Sequence, residues 1–213
     1  MKQDDLTRLV YIVDDDFSVR DSLRLLIEAT GQTVRQFESA EAFLHDYNHQ
    51  VPSCLVLDVN LPGMDGLGLQ QQLAKKDIAI PIIFISGHAG IPDSAKAFRA
   101  GAVDFLKKPL DTALLIERIN EALRKDTEAW QERRSKLERQ ERIDRLTDRE
   151  KEVLHLIMDS YSNKEAARIL GISYRTIDLH RAHIMEKLEA GNIVGLIRIA
   201  MYNNELNNKA LCA

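Results

Sequence analysis

Acidic, hydroxyl and amino side chains follow a series of short apolar runs in the first half of the chain. Asp14 and Asp15 come directly after the first run, Asp58 after the third, Ser86 after the fourth and Lys108 close behind the fifth. Carboxylates that are brought together repel one another unless they share a cation or a proton. Mg²⁺ suits such a site because it binds carboxylate, carbonyl, water and phosphate oxygens. A lysine beside the metal would face a phosphoryl group, to which the serine hydroxyl could also donate.

The third and fourth of these runs are apolar throughout, as strands buried on both faces should be. Five strands are predicted, separated by segments of helical periodicity. They are Leu9–Val13, Thr33–Phe37, Cys54–Leu57, Ile82–Ile85 and Asp104–Leu106. This alternation predicts an α/β fold, a doubly wound five-stranded parallel sheet with helices on both faces. Because ligands of such sheets bind outside the carboxyl ends of the strands, the polar side chains named above are expected to lie together there.

Several acidic residues have a simpler interpretation as helix caps. Either Asp16 or Ser18 can begin the first helix, which Gly31 is placed to end. Asp111 can begin the helix after the fifth strand, and Asp65 is interpreted as a turn or cap residue. Asp16 and Asp65 are therefore kept outside the predicted metal site.

Four separated motifs in this region resemble the receiver domain of two-component response regulators. They are Ile12-Val13-Asp14-Asp15, the run Leu57-Asp58-Val59-Asn60-Leu61-Pro62-Gly63-Met64-Asp65-Gly66, Ser86-Gly87-His88, and Phe105-Leu106-Lys107-Lys108-Pro109. The resemblance implies a flavodoxin-like fold in which Asp58 accepts a phosphoryl group from a histidine kinase. It further implies that Mg²⁺ is held by Asp14, Asp15, Asp58 and the carbonyl of Asn60, directly or through water, and that Lys108 contacts the phosphoryl group.

The same resemblance implies a switch at two positions and a cis peptide bond at a third. Ser86 stands where Thr is commoner in the family, and Phe105 stands where Tyr is frequent. Phosphorylation of Asp58 is expected to draw Ser86 toward the phosphoryl group and to let Phe105 move inward. The bond between Lys108 and Pro109 is expected to be cis, an isomer whose cost is small only before proline.

An enzyme family competes for these residues. The run Asp14-Asp15-Asp16-Phe17-Ser18 resembles the Asp-x-Asp start of haloacid-dehalogenase phosphatases, with Ser86 and Lys108 as further motif residues. That family also needs a downstream acidic pair for Mg²⁺, and no such pair follows Lys108 at a strand end. Asp58 would have no role in it. A regulator rather than an enzyme is therefore the expectation.

A charged segment follows the predicted sheet. Residues 126–145 hold six basic and six acidic side chains and neither Gly nor Pro. This composition is typical of a solvated helix or of a flexible connector. Ile116, Leu123, Trp130 and Leu137 are spaced seven apart, but their companion heptad positions are polar. Weak pairing of two such helices is left open beside a single solvated helix.

The last region has helical patterns without strand patterns, and four helices are predicted. Asn163–Leu170, the turn Gly171-Ile172-Ser173 and Tyr174–Leu188 have the spacing of a helix-turn-helix motif. Gly171 permits a left-handed backbone at the turn. Ile177 is placed to fill the gap between the two helices. The second helix of such a motif enters the major groove of DNA.

The block from Leu146 to Ala200 resembles the LuxR/FixJ type of DNA-binding domain. The shared motifs are Leu146-Thr147-x-Arg149-Glu150-x-Glu152-Val153-Leu154, which includes a capping box, Asn163-Lys164-Glu165-x-Ala167, and Thr176-Ile177-x-x-His180. The resemblance implies candidate phosphate contacts from Lys164, Tyr174, His180 and Lys187. Base edges would be faced by Arg175, Asp178, Leu179 and Ala182, with Thr176 and Arg181 also exposed on the same helix.

Two of these positions keep a second interpretation. His180 could pack structurally instead of contacting a phosphate. Asp178 could accept a hydrogen bond from a cytosine amino group, or it could pair with Arg175 or Arg181. Residues 146–213 hold nine basic and nine acidic side chains, so we expect few phosphate contacts and dimerisation on two half-sites.

These patterns divide the chain into a receiver domain at 9–123, a charged helical linker at 124–141 and a helix-turn-helix domain at 142–207. The combination resembles response regulators of the FixJ/NarL family. It implies that phosphorylation promotes a homodimer and sequence-specific binding to promoter DNA, with RNA polymerase as a further partner. The alternative is an adaptor whose terminal helices bind another protein.

The composition excludes several other classes. Hydrophobic residues make up 45 % of the chain and charged residues 29 %, as in ordinary soluble proteins. Acids near the start replace the basic flank of a signal peptide, and no apolar stretch approaches the ~20 residues that span a bilayer. A cytoplasmic protein without membrane contact is expected. Cys54 and Cys212 lie far apart, so neither a disulfide framework nor a metal-type pair is predicted.

Overall fold

The computed structural model describes residues 7–48, 50–87 and 91–199. The chain divides into two compact units, Met1–Gln131 and Glu132–Ala213. Each unit has an apolar core of its own. The two are therefore described in turn.

The first unit is built on the predicted parallel sheet. Its strands are β1 Leu9–Val13, β2 Thr33–Phe37, β3 Ser53–Asp58, β4 Ile82–Ser86 and β5 Asp104–Lys107. Their order across the sheet is β2-β1-β3-β4-β5, and every pair is parallel. Asp58 and Ser86 are the last residues of their strands rather than the first residues after them, because the ladder continues through Asp58 beside Ile85 and Ser86 beside Lys107.

Helices cover both faces of the sheet, which confirms the doubly wound fold. They are α1 Phe17–Glu28, α2 Ala40–Asp46, α3 Gly66–Lys75, α4 Ile91–Arg99 and α5 Thr112–Asp144. Alternate residues of a strand pack into separate apolar cores on the two faces of the sheet. Tyr11 packs with Phe43 of α2 and Leu69 of α3, whereas its neighbour Ile12 packs with Ile27 of α1 and Leu115 of α5.

The predicted caps lie at the starts of three helices. The Asp16 carboxylate accepts a hydrogen bond from the Ser18 amide at 2.7 Å, so Asp16 rather than Ser18 is the N-cap of α1. Asp65 caps α3, and Asp111 accepts from amides in the first turn of α5. Helix α1 ends at Glu28, and Gly31, with φ of +83°, lies in the following turn.

The charged segment is helical. Helix α5 continues to Asp144, which favours the solvated helix over the flexible connector. Its last buried side chain is that of Asp126, and none of residues 127–144 is buried. Leu137, one of the residues spaced seven apart, is 64 % exposed. Pairing of two such helices stays a prediction.

The described residues of the second unit form helices and connecting turns, with no strand among them. It contains α6 Asp148–Met158, α7 Asn163–Leu170 and α8 Tyr174–Lys187, and residues 193–199 are also helical. Val153, Ile177, Ile184 and Leu188 lie in its core. The capping box of Thr147 and Glu150 begins α6, as predicted. The expected domain end at residue 207 lies outside the described residues.

Within the described ranges, no helix combines the length and the hydropathy that crossing a lipid bilayer requires.

Candidate functional site

The carboxyl edge of the sheet brings two of the predicted carboxylates to one lysine. Lys108 Nζ lies 2.7 Å from Asp14 Oδ2 and 3.0 Å from Asp58 Oδ1. Asp14 is 1 % exposed and Asp58 4 %, whereas the lysine side chain is 26 % exposed. Lys108 reaches this place because β5 ends beside β4, where its amide donates to the Ser86 carbonyl at 2.8 Å. The bond between Lys108 and Pro109 is cis, as expected.

Asn60 connects the second oxygen of Asp58 to Ser86. The Asn60 amide donates to Asp58 Oδ2 at 2.8 Å, and its side-chain amide donates to Ser86 Oγ at 3.5 Å. Ser86 is fully buried. The loop after β3 therefore lies between the proposed phosphoacceptor and the proposed switch residue.

Burial and the ion pairs with Lys108 shift the pKa values of Asp58 and Lys108 in opposite directions. Burial raises the pKa of Asp58, and the neighbouring Asp14 charge adds to this, although Lys108 partly offsets both. Burial alone would lower the pKa of Lys108, but its contacts with Asp14 and Asp58 outweigh that effect and raise it. The lysine therefore stays protonated, and the site holds a fixed positive charge between two carboxylates.

One residue that contacts the loop after β1 was not identified by the sequence patterns. Arg20 of α1, only 9 % exposed, donates from Nη1 to the main-chain carbonyl of Asp14 at 2.6 Å. The Asp16 amide donates to Asp14 Oδ1 at 3.0 Å. Asp15 is exposed, and its carboxylate is not brought to Lys108. No spacing rule links Arg20 to the acidic run, because the contact depends on how α1 packs on the sheet.

Gly66, the first residue of α3, lies where two backbone segments come close together. Its amide donates to the Val59 carbonyl at 2.9 Å, which brings the start of α3 against the end of β3. A Cβ at this position would overlap the main-chain carbonyl of Asp58. A side chain on Gly66 would therefore displace the backbone that carries the site.

Phe105 lies on β5 beside Phe84 of β4. The two ring centroids are 5.9 Å apart and the rings are stacked. Phe105 is partly buried and packs against the core on the α2, α3 and α4 face. The structure therefore places the proposed aromatic switch between exposure and burial.

The donor set at this edge fits Mg²⁺. Asp14 and Asp58 bring two carboxylates to the same nitrogen. Mg²⁺ is usually bound through one or two protein carboxylates, with water and phosphate oxygens completing the octahedron. In the part of the chain that the structure describes, no group of three or more His, Cys, Asp or Glu is arranged to hold a metal. A magnesium ion here would therefore depend on water and on main-chain oxygen as well.

The second unit contains the predicted helix-turn-helix. Helix α7 ends at Leu170, and Gly171 adopts the left-handed conformation with φ of 65°. Helix α8 begins after Ser173, and its Ile177 is 1 % exposed between the helices. On α7, Ala166 is buried in the core of the unit, whereas Ala167 is only partly buried.

Most residues proposed to contact DNA are at the surface. Lys164, Tyr174, Arg175, Asp178, Leu179 and Ala182 are exposed, and Thr176, His180 and Arg181 are partly exposed. Lys187 differs, because its Nζ lies 2.7 Å from Oε2 of Glu150, a residue that is 3 % exposed. The ammonium of Lys187 is thus held by a buried carboxylate, which gives this lysine an alternative role to the phosphate contact implied by the resemblance.

Asp178 has a partner that the sequence patterns did not suggest. Its Oδ1 accepts a hydrogen bond from Nδ2 of Asn163, at the start of α7. Neither of the two arginines considered earlier provides this contact. The hydrogen bond joins the first helix of the motif to the second.

The fold and its two sites define a class of protein. A doubly wound sheet with an acidic pocket beside a lysine, joined in one chain to a helix-turn-helix unit, is the architecture of a DNA-binding response regulator. Residues 10–120 match the family model described as the response regulator receiver domain. Residues 144–200 match the model for bacterial regulatory proteins of the luxR family.

Curated relatives and a solved structure agree with this class. The response regulator protein TodT of Pseudomonas putida is 40 % identical over 195 residues, covering 92 % of this chain and 86 % of its own. The transcriptional regulatory protein FixJ of Bradyrhizobium diazoefficiens is 35 % identical, covering 93 % of this chain and 97 % of its own. The solved response regulator StyR matches with a TM-score of 0.87 and 37 % identity, covering 92 % of this chain and 99 % of its own.

The chain belongs to the response regulators that carry a receiver domain and a LuxR-type DNA-binding domain. It is a two-component response regulator and a transcriptional regulator. The acidic strand end thus belongs to a receiver domain rather than to the phosphatase family considered above.

Proposed function

We propose that this regulator is switched by phosphorylation of Asp58. The observation that carries the proposal is the position of Lys108 Nζ, 2.7 Å from Asp14 and 3.0 Å from Asp58. A buried carboxylate can act as a nucleophile toward a phosphoryl group. The neighbouring ammonium can then stabilise the negative charge of that phosphoryl group. The donor is a cognate histidine kinase.

In the transfer, one oxygen of Asp58 attacks the phosphorus atom of a phosphohistidine. The new P–O bond forms as the P–N bond breaks, and the imidazole nitrogen leaves with the electron pair. The product is an aspartyl phosphate. Lys108 donates to a phosphoryl oxygen, and Ser86 offers its hydroxyl to the same group, since both already contact or neighbour the Asp58 loop.

Asp14, Asp15, Asp58 and the Asn60 carbonyl are the proposed ligands of Mg²⁺. When bound, the ion neutralises part of the negative charge on the transferring phosphoryl group. Asp15 is exposed beside the buried pair, as a residue acting through a water molecule would be.

The output of the switch is a change of oligomeric state. Movement of Ser86 toward the phosphoryl group and of Phe105 inward reshapes the face formed by α4 and β5, which then dimerises. Phosphorylation thus shifts a population between inactive and dimer-competent states. The domains proposed for this process remain a receiver at 9–123, a linker at 124–141 and a DNA-binding domain at 142–207, in a cytoplasmic protein.

Two DNA-binding domains in the dimer engage neighbouring half-sites of promoter DNA. Helix α8 enters the major groove, with Lys164, Tyr174 and His180 proposed to contact phosphates. Arg175, Thr176, Asp178, Leu179, Arg181 and Ala182 form the surface that faces the bases. RNA polymerase is the expected partner at the promoter.

The test is labelling by a small phosphodonor. The full chain is incubated with acetyl phosphate and Mg²⁺, and its intact mass is measured together with its oligomeric state. We expect wild type to gain one phosphoryl group and to dimerise. Asp58→Asn should do neither, because the amide is a poor nucleophile.

Asp65→Asn is the matched control. Asp65 lies in the same loop and caps α3, a role that Asn fills equally well, so this variant should be labelled like wild type. Normal labelling of Asp58→Asn would show that the phosphoacceptor is another residue.

A further inference from the structure

Arg20 is a buried cation directly behind the acidic loop. It lies on α1 and is 9 % exposed, with its guanidinium carbon 5.8 Å from the centroid of the Phe17 ring. Its Nη1 donates to the main-chain carbonyl of Asp14 at 2.6 Å. A buried charge is costly unless it is paired or hydrogen-bonded. The acceptor here is a peptide carbonyl rather than a carboxylate, so the charge is directed at the backbone of the loop.

The carbonyl that Arg20 binds belongs to the peptide that joins Asp14 to Asp15. The orientation of this peptide determines where both side chains leave the backbone. On its other side, the Asp14 carboxylate is held by the Asp16 amide at 3.0 Å and by Lys108 at 2.7 Å. The contact from Arg20 fixes the backbone of Asp14, while these two contacts fix its side chain.

We infer that Arg20 is a positioning residue for the two acidic side chains of the β1 end, Asp14 and Asp15, as ligands of Mg²⁺. This inference rests on the proposed function, since that function supplies the metal. A donor that orients a ligand from outside the coordination sphere typically changes metal affinity by about 10–100-fold when it is removed. Arg20 therefore acts on Mg²⁺ affinity without touching the ion.

The positive charge of Arg20 by itself would have the opposite effect on Mg²⁺ affinity. A cation near the site repels Mg²⁺, so removing its charge alone would tighten metal binding. Loss of positioning would weaken binding instead. The direction of the change thus separates the two effects of one substitution.

The experiment measures Mg²⁺ binding to the full unphosphorylated chain by isothermal titration calorimetry. Arg20→Met keeps the aliphatic stem and removes the charge and the donors. Arg20→Lys keeps the charge with a single donor group. Arg24→Met is the matched control, because it removes the same charge one helical turn further on, where Arg24 pairs with Asp21 and Glu28.

We expect Arg20→Met to raise the dissociation constant for Mg²⁺ by about ten-fold. Arg20→Lys should lie between wild type and Arg20→Met, and Arg24→Met should bind as tightly as wild type or more tightly. Acetyl phosphate labelling should need correspondingly more Mg²⁺ for half-saturation in Arg20→Met, with the rate at saturating Mg²⁺ unchanged.

A folded Arg20→Met that binds Mg²⁺ like wild type would overturn the inference while leaving the phosphorylation of Asp58 intact. A lower melting temperature with unchanged Mg²⁺ affinity would do the same, since it would assign Arg20 to core packing alone. If Arg20→Met does not fold, the Mg²⁺ affinity of Arg20→Lys is compared with that of wild type instead, and equal affinities would overturn the inference. Wild type that binds no Mg²⁺ would overturn the inference and the proposed metal site together.

Discussion

At the scale of single residues, both units use a lysine to hold a buried carboxylate, with opposite effects. Lys108 forms ion pairs with both Asp14 and Asp58. The pKa of Asp58 is nevertheless raised, mainly by burial and further by the charge of Asp14. Burial also acts on Glu150, but Lys187 and the two donors of Thr147 outweigh it and hold the pKa of Glu150 below its ordinary value. The first arrangement involves Asp58, the proposed phosphoacceptor, and the second stabilises the start of α6.

The lowered pKa of Glu150 predicts an acid-sensitive second unit. The ionised form is favoured by folding, so its contribution is present above the unfolded pKa of about 4.3 and is lost as pH falls through the lower folded pKa. Glu150→Gln should destabilise α6 by about 2 kcal/mol at neutral pH. It should also make the stability of α6 less dependent on pH in the acid range. Amide hydrogen exchange of α6 in the full chain, between neutral pH and the acid range, measures both effects.

Glu152→Gln is the control for this prediction. Glu152 is exposed on the same helix and pairs with Arg149, so its loss should cost no more than about 0.5 kcal/mol. Equal effects of the two substitutions would contradict the role given to the Glu150 pair.

At the scale of elements, helix α5 is fixed to the sheet by a hydrogen bond near its last buried turn. Asp126 is 2 % exposed, and its Oδ2 accepts from the Ser53 amide at the start of β3, at 2.8 Å. Ser53 is itself fully buried. The packed part of the first unit thus extends beyond position 123, the proposed receiver boundary, because a side chain of the charged segment completes the hydrogen bonding of a buried strand end.

Asp126→Ala should therefore destabilise the first unit. A buried amide without an acceptor costs about 1–3 kcal/mol. Glu128→Ala, two residues further on, removes only an exposed pair with Arg124 and should cost about 0.3–0.5 kcal/mol. Urea unfolding of the full chain, followed by the fluorescence of Trp130, compares the two. A cost for Asp126→Ala as small as that for Glu128→Ala would exclude the anchoring role.

At the scale of the whole molecule, DNA binding is expected to depend on local rather than net charge. The chain has a formal charge of −4, and its last 68 positions, residues 146–213, are balanced at nine basic and nine acidic side chains. Each phosphate contact contributes about 0.9 to the slope of log affinity against log salt. With few contacts per domain, we expect a dimer on two half-sites to be the effective binding species.

Lys164 and Lys187 make a matched pair for testing this expectation. Lys164→Met should reduce the salt slope by about one per domain, because it removes the phosphate contact proposed for this exposed lysine. Lys187→Met should leave the slope unchanged and lower stability instead, because Lys187 is held by Glu150. The measurement is a salt titration with DNA selected from random sequences by the phosphorylated wild type. Absence of DNA binding in either phosphorylation state would favour the adaptor.

Features that depend on neighbouring residues could be predicted from the order of the amino acids. Short runs that contain apolar residues predicted the five strands, and short polar side chains such as Asp16 and Thr147 marked the helix starts. Gly171 marked the turn of the helix-turn-helix, since few other residues adopt its left-handed conformation without cost. The convergence of Asp14, Asp58 and Lys108 followed as well, because parallel strands must end at one edge.

Several contacts between residues that are separated in the chain could be identified only in the folded protein. Arg20 on the Asp14 carbonyl, Asp126 on the Ser53 amide and Lys187 on Glu150 join residues whose spacing in the chain carries no pattern. Such contacts depend on how one helix packs against another element, and that packing is set by the whole core rather than by local sequence. For Lys187, the sequence position implied a contact with DNA phosphate, whereas the folded chain gives its ammonium a buried carboxylate partner, Glu150.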